Sequence, residues 1–332
     1  MNNNTNQASL LTDGSANTVI DAPFTGIILV VIGVLVFSVQ DVIIRLLGGG
    51  YSGFEIVHIR GLFAIIPIMI IVMINGGIKT LRMRHPFLNV ARSSLMFFSY
   101  VAYYSALTAM PIAEATAIFF VSPLMITVFS VLFLKETVGL RRWIAILTGF
   151  FGILVIIQPG SESMNPAAFL PLVAALTYSG SVMITRRLGP TQNGASLAFY
   201  SMMIFILYSG LIGVFFGDGQ FANESHPSLG FLTREWIIPL QEDLILLAAC
   251  GLIAACGFYC LSQSYRIAPA SVIAPFEYIA MPCAIFWGIV IWNEIPPMTT
   301  FIGIAIIVGS GLYVLHRESV LKKRHAKSIS VQ

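Results

Sequence analysis

Ten long apolar stretches, separated by short polar or Gly- and Pro-containing segments, run through the sequence. An α-helix needs about 20 such residues to cross the ~30 Å hydrocarbon layer of a membrane. Only 10% of the residues are charged and the mean hydropathy is +0.87, which excludes a soluble fold with a polar outer layer. The sequence therefore predicts an all-α polytopic membrane protein with ten transmembrane helices. The predicted spans are 24–47, 54–75, 87–109, 112–134, 143–158, 166–187, 195–216, 242–264, 271–292 and 298–316.

The basic residues are distributed unequally between the two sets of loops. With a cytoplasmic N-terminus, the outside loops contain only Arg234, and the positive-inside rule then predicts that both termini are cytoplasmic. Residues 1–23 are expected to form a disordered cytoplasmic tail, and 318–332 a basic cytoplasmic tail. The net charge of +3 is too small to indicate nucleic-acid binding. The inside residues are Lys79, Arg82, Arg84, Lys135, Arg141, Arg142, Arg186, Arg187, Arg266, Arg317, Lys322, Lys323, Arg324 and Lys327.

An internal repeat divides the chain into two five-helix units, 24–160 and 161–317. A shift of 158 residues places MPIAEATAIFFVSPLM on APASVIAPFEYIAMPC, with Pro111 on Pro269 and Glu136 on Glu294. A shift of 141 also aligns the end of the first span with the end of the sixth. Because five is odd, the two units have opposite topology in the membrane, an arrangement typical of secondary transporters. The alternative is a duplication that only built a larger bundle.

The two halves resemble the drug/metabolite transporter superfamily, in its ten-helix EamA type. The resemblance rests on IAEATAIFFVSPL followed by LKETVGLRRWIAILTGFFGILVI, and on APFEYIAMP followed by WNEIPPMTTFIGIAIIVGSGLYVLHRE. It covers residues 24–317 and implies a carrier of small metabolites in a bacterial-type inner (plasma) membrane, with a central cavity lined by both halves. The second half is most similar to the branch of S-adenosylmethionine-type and riboflavin-type carriers.

Four charged residues inside the predicted spans are functional candidates, because an unpaired charge in a bilayer is costly. Asp41 and Arg60 both lie about 9 Å from the outer surface, and Arg92 and Glu277 lie at similar depths from the inner surface. These depths predict two ion pairs, although Arg45 competes as a partner of Asp41. The pairs either fix helix packing or act as gates and couple transport to protons, with Glu277 as the first candidate for coupling.

Aromatic and amide residues near the predicted midplane form a second candidate set. Such rings stack on planar or cationic groups, and their hydroxyls form hydrogen bonds, although tyrosines in a bundle often only pack. The sequence leaves open whether Tyr103 or Tyr104 faces the cavity. The predicted cavity residues are Tyr100, Tyr103, Tyr104, Tyr178, Tyr200, Tyr259, Gln263, Tyr278 and Trp287.

Motifs of other chemistries are absent from the sequence. There is no HExxH, no P-loop, no GxSxG and no acidic pair of the aspartyl-protease kind. The GYSG at residues 50–53 resembles a rhomboid protease motif, which leaves an intramembrane hydrolase as a remote alternative. We predict no catalytic residue, no metal site and no cofactor, and expect a monomer or dimer in the lipid bilayer. The sequence thus predicts a secondary transporter of a small polar or amphipathic metabolite with a planar or cationic portion. The transporter is expected to work by alternating access, with proton coupling or exchange. A channel or a membrane scaffold is the alternative.

Overall fold

The computed structural model describes residues 23–83, 85–134, 139–162, 164–188, 192–222, 225–268, 273 and 276–329. These residues form helices and connecting segments, without a β-strand among them. Two short 3-10 helices, Ile78–Leu81 and Pro166–Ala168, accompany the α-helices. The α-helices are α1 Pro23–Leu47, α2 Gly53–Ile74, α3 Pro86–Leu107, α4 Ile112–Phe119, α5 Ser122–Leu134, α6 Leu140–Ile157, α7 Phe169–Leu188, α8 Gly194–Phe216, α9 Pro227–Thr233, α10 Gln241–Ile267, α11 Ala280–Trp292 and α12 Met298–Ile329.

Several of these helices have the length and composition of membrane spans. Six stretches qualify, at Phe24–Leu47, Gly53–Ile74, Ile112–Phe133, Pro166–Thr185, Gly194–Phe216 and Gln241–Ile267. Three shorter apolar helices lie at Trp143–Ile157, Ala280–Trp292 and Met298–Val314. Helix α3 has 22 residues but is more polar, since it carries Asn89, Arg92 and several serines. The prediction of an all-helical membrane protein is confirmed, whereas the count of ten spans remains a prediction.

Two of the predicted spans are interrupted. The fourth is divided by a turn at Phe120–Val121 between α4 and α5, and a second turn at Tyr278–Ile279 precedes α11. Pro123 and Pro282 follow these turns and lack the N–H groups that would bond to the carbonyls four residues earlier. The two turns are separated by the same 158 residues as the repeat. Residues 271, 272, 274 and 275 of the predicted ninth span lie outside the described part.

Pairwise packing of long helices builds the bundle. Helix α3 packs along α7, α1 along α10, α2 along α8 and α10, and α6 along α12. Glycines permit the close contacts: a Cβ at Gly251 would lie 2.6 Å from the backbone oxygen of Arg60, and one at Gly257 would lie 2.7 Å from the Phe37 ring. Large apolar side chains such as Ile66, at 71% exposure, face outward, as expected of a surface in contact with lipid.

The predicted tails fall partly outside the described residues. Residues 1–22 and 330–332 lie outside, as do Arg84, Lys135 and Glu136. Helix α12 continues through most of the predicted basic tail and ends at Ile329. The four cysteines, Cys250, Cys256, Cys260 and Cys283, are free thiols.

Candidate functional site

A cavity of about 160 Å³ lies in the interior of the bundle. Its walls come from α1, α3, α4, α7, α10 and the segment around Glu277, so both predicted repeats contribute. Asp41 and Glu277 are the charged residues among its described lining. The uncharged polar lining consists of Ser38, Gln40, Ser99 and Thr116, and the aromatic lining of Phe37, Tyr100, Tyr103, Tyr104, Phe119, Phe120, Tyr178 and Phe258.

The carboxylate of Asp41 is held by two tyrosines of α3. The Tyr104 hydroxyl donates to Oδ1 at 2.8 Å, and the Tyr103 hydroxyl lies 3.3 Å from Oδ2 and 2.9 Å from Thr116 Oγ1. Both tyrosines therefore face the cavity, which answers the question that the sequence left open. Because charge-assisted hydrogen bonds are strong, this arrangement orients the carboxylate.

Arg60 does not form the predicted ion pair with Asp41. Its Nη1 donates to Gln40 Oε1 at 3.1 Å, and Gln40 Nε2 donates to the Tyr104 hydroxyl at 2.8 Å. The prediction of direct contact was wrong because Gln40 and Tyr104 occupy the space between the two charges. A continuous hydrogen-bonded chain nevertheless connects Arg60 through Gln40 and Tyr104 to Asp41.

The predicted contact between Arg92 and Glu277 is also missing in this conformation. Arg92 donates to Thr185 Oγ1 at 2.6 Å, to Ser201 Oγ at 2.8 Å and to the Leu197 carbonyl at 3.1 Å. Matching depth did not bring the pair together because these acceptors of α7 and α8 already hold the guanidinium.

Glu277 lies at the interrupted segment before α11, where it lines the cavity with 7% exposure. Tyr265 of α10 lies close to its carboxylate. Tyr178, also in the cavity wall, lies within electrostatic range of both Glu277 and Arg92.

Other residues in the predicted set lie at the edge of the cavity. The Trp287 indole donates to Ser38 Oγ at 3.3 Å and thereby holds a lining residue from behind. The Tyr278 ring packs against Phe120, with centroids 5.4 Å apart, and is 7% exposed. These two aromatics support the wall without lining it.

Three predicted residues lie away from the cavity lining. Tyr200 donates to the Leu81 carbonyl, and Tyr259 donates to Asn75 Oδ1 at 3.0 Å. Gln263 packs against Gly194 at the start of α8. These three side chains contact neighbouring helices and loops instead.

Several lining residues were not predicted from the sequence. Gln40 is adjacent to the selected Asp41. Thr116 and Phe119 lie within the IAEATAIFFVSPL segment, which indicated only the repeat and the family resemblance. Gln40 was predictable as the polar neighbour of a charge inside a span. Phe119 was predictable from its position next to a break in a span.

A bidentate ion pair joins α1 to the segment that follows α11. Arg45 Nη1 and Nη2 contact Glu294 Oε2 and Oε1 at 2.7 and 2.6 Å, and the guanidinium lies 4.4 Å from the centre of the Trp292 ring. We call these three residues the Arg45 clamp. Arg45 therefore does not compete with Arg60 as a partner of Asp41. Glu294, which follows the end of α11, forms a contact with the first half of the chain. Asp41 lies one helical turn, about 6 Å, from Arg45 along α1.

Comparisons with known proteins assign the chain to a family. Relatives that cover most of it include an S-adenosylmethionine uptake transporter of Rickettsia conorii, 25% identical over 94% of this chain and 99% of its own length. A riboflavin transporter of Rhizobium johnstonii is 26% identical over 75% of this chain and 77% of its own length. A pseudopaline exporter of Pseudomonas aeruginosa is 25% identical over 87% of this chain and 95% of its own length. One crystal structure shares the fold, with a TM-score of 0.63, 18% identity and coverage of 89% of this chain and 98% of its own. The model of the EamA-like transporter family matches residues 24–158 and again residues 165–315, and the chain belongs to that family.

Proposed function

We propose that this chain carries a small cationic metabolite with a planar portion across the bacterial inner membrane by alternating access. The observation that carries the proposal is the composition of the cavity. Two carboxylates, Asp41 and Glu277, face a space that is otherwise lined mainly by aromatic rings, and no Lys or Arg is among its described lining. Carboxylates attract a cation, while the aromatic faces stack on a planar group and favour positive charge.

The chemistry of the lining favours a cation over a neutral ring. S-adenosylmethionine, named for several relatives, combines a sulfonium cation with a planar adenine, whereas riboflavin is planar and neutral. A neutral substrate would leave the two carboxylates without an opposite charge in the cavity, which is unfavourable in a site with limited water. A sulfonium or ammonium group near Asp41 would compensate that charge.

Two features support an arrangement of two inverted five-helix repeats. The breaks at Phe120 and Tyr278 are related by the repeat offset, and their rings contact each other. The packing of α3 along α7 has its repeat-related counterpart in α10 along α1. Interrupted spans at equivalent positions are a recurrent feature of the substrate sites of such transporters.

The Arg45 clamp supplies a closing contact for alternating access. It joins α1 of the first half to the segment after α11 of the second half, one turn beyond Asp41. With the orientation given by the positive-inside rule, this end faces outward. Breaking the clamp would allow the halves to separate there and open the cavity to the outside.

The test uses purified protein in proteoliposomes. Binding and uptake of radiolabelled S-adenosylmethionine are compared with those of riboflavin for the wild type and for Asp41→Asn and Glu277→Gln. Loss of a charge-assisted contact is expected to weaken binding about 10- to 100-fold, equivalent to about 1.4–2.8 kcal/mol. Asp218→Asn and Glu242→Gln are matched controls, because both side chains are exposed and far from the cavity lining.

The outcomes separate the candidate functions. Three results together would support a carrier. The wild type would bind S-adenosylmethionine more tightly than riboflavin, both cavity variants would lose this preference, and uptake would be faster into vesicles preloaded with unlabelled substrate. Equal or better binding of riboflavin would overturn the proposed cationic substrate. Flux without saturation or stimulation by internal substrate would indicate a channel, and the absence of binding and flux would favour a scaffold.

A further inference from the structure

Arg60 on α2 is a fully buried cation with unused hydrogen-bonding capacity. Its exposure is 0%, and of its five N–H donors the structure pairs only one group, Nη1, with Gln40. Nε and Nη2 are both buried without a hydrogen-bond partner in the described part of the chain. Such groups are costly to bury, so their retention requires a reason.

Aromatic contacts compensate the charge only in part. The Arg60 guanidinium lies 4.1 Å from the centre of the Tyr100 ring and 5.9 Å from that of Phe205. Cation–π contacts stabilise a positive charge but do not satisfy N–H donors. Asp41 is reached only through Gln40 and Tyr104, and Arg60 makes no ion pair with any described carboxylate.

Arg60 lies directly behind the cavity wall. Gln40 and Tyr100, its two closest polar and aromatic contacts, both line the cavity. The Tyr100 hydroxyl is itself buried and makes no hydrogen bond to any described residue, so packing alone holds that ring among them. Because the Tyr100 ring covers the guanidinium and lines the cavity, direct contact between the unpaired N–H groups and a molecule there requires this side chain to move aside.

We propose that Arg60 binds an anionic group of the substrate, so that the site recognises a zwitterion. The cation of the substrate would lie at Asp41 and Glu277, and its carboxylate would replace the missing partner of the guanidinium. A planar guanidinium fork matches the two oxygens of a carboxylate. This inference rests on the proposed function, because it assumes that the cavity holds the transported molecule.

The test compares two probes that differ in one group. S-adenosylmethionine and decarboxylated S-adenosylmethionine share the adenine, the sulfonium and the amine, but only the first has a carboxylate. An acidic cavity without an anion-binding group should prefer the decarboxylated probe, which carries more net positive charge. With Arg60 acting as proposed, the wild type should instead bind S-adenosylmethionine at least 10-fold more tightly, as measured by calorimetry on purified protein.

Variants then assign the preference to Arg60. Arg60→Gln should abolish the preference while leaving the affinity for the decarboxylated probe within about 3-fold, and Arg60→Lys should retain part of it. The wild-type comparison alone keeps the inference falsifiable if Arg60→Gln does not fold. Equal binding of both probes, or tighter binding of the decarboxylated one, would overturn the role of Arg60 and leave the cationic substrate intact. Binding of neither probe would overturn the proposed function and this inference together.

Discussion

Removing either charge of the Arg45 clamp should open the cavity at that end of the bundle. The pair is bidentate, with both contacts at 2.7 Å or less, and the side chains of Arg45 and Glu294 are 13% and 27% exposed. Fully exposed pairs contribute about 0.2–1 kcal/mol, whereas breaking a fully buried pair costs about 3–5 kcal/mol. The intermediate burial and the Trp292 ring place the expected coupling energy at about 1–3 kcal/mol, a shift of about 5- to 150-fold between closed and open forms.

Thiol labelling measures this shift directly. Ser38 lines the cavity beyond the clamp and is 7% exposed. In a protein whose native cysteines are replaced, S38C should react with a membrane-impermeant reagent about 5- to 150-fold faster when Arg45→Gln or Glu294→Gln is present. Arg266→Gln is the matched control, because this exposed arginine lies at the end of α10.

The double variant provides the decisive comparison. Because each single substitution already breaks the pair, Arg45→Gln with Glu294→Gln should label little faster than either alone. Labelling that is unchanged in the single variants, or additive increases in the double variant, would refute the reasoning that this pair holds the cavity closed.

Two further predictions concern stability, measured by thermal unfolding in detergent. Gly251→Ala should destabilise the protein by about 1–3 kcal/mol, because its Cβ would lie 2.6 Å from a backbone oxygen of α2. Gly309→Ala is the control and should be neutral or stabilising, since no atom lies within 4 Å of its added Cβ. Equal effects of the two substitutions would contradict the close packing of α10 against α2. Tyr104→Phe should cost about 1–3 kcal/mol, because its buried hydroxyl bonds to Asp41 at 2.8 Å and also accepts a hydrogen bond. Tyr103→Phe should cost less, since its distance to the same carboxylate is 3.3 Å, and the reverse order would be inconsistent with this network.

The positions of the helices were largely predictable, but their breaks and their polar faces were not. The turn at Phe120 was hidden inside one apolar stretch, although Pro123 three residues later was a visible signal. In a soluble helix the apolar stripe identifies the buried face. In a membrane helix the lipid-facing side is apolar as well, so spacing alone gave Tyr259 and Gln263 the same weight as Tyr103 and Tyr104.

The sequence by itself determined the membrane class, the helical secondary structure, the transporter family and two carboxylates that line the cavity. Composition, stretch length and the positions of charges suffice for the class, the helices and the carboxylates, since the bilayer requires long apolar helices and penalises isolated charges. The family came from the resemblance of particular segments in both halves. Only the tertiary structure decided the partners of those charges: Arg45 with Glu294, 249 residues away, and Arg60 with Gln40 in place of Asp41. The reason is that pairing depends on how far each helix is rotated about its axis and which neighbour it packs against, and depth along a helix fixes neither.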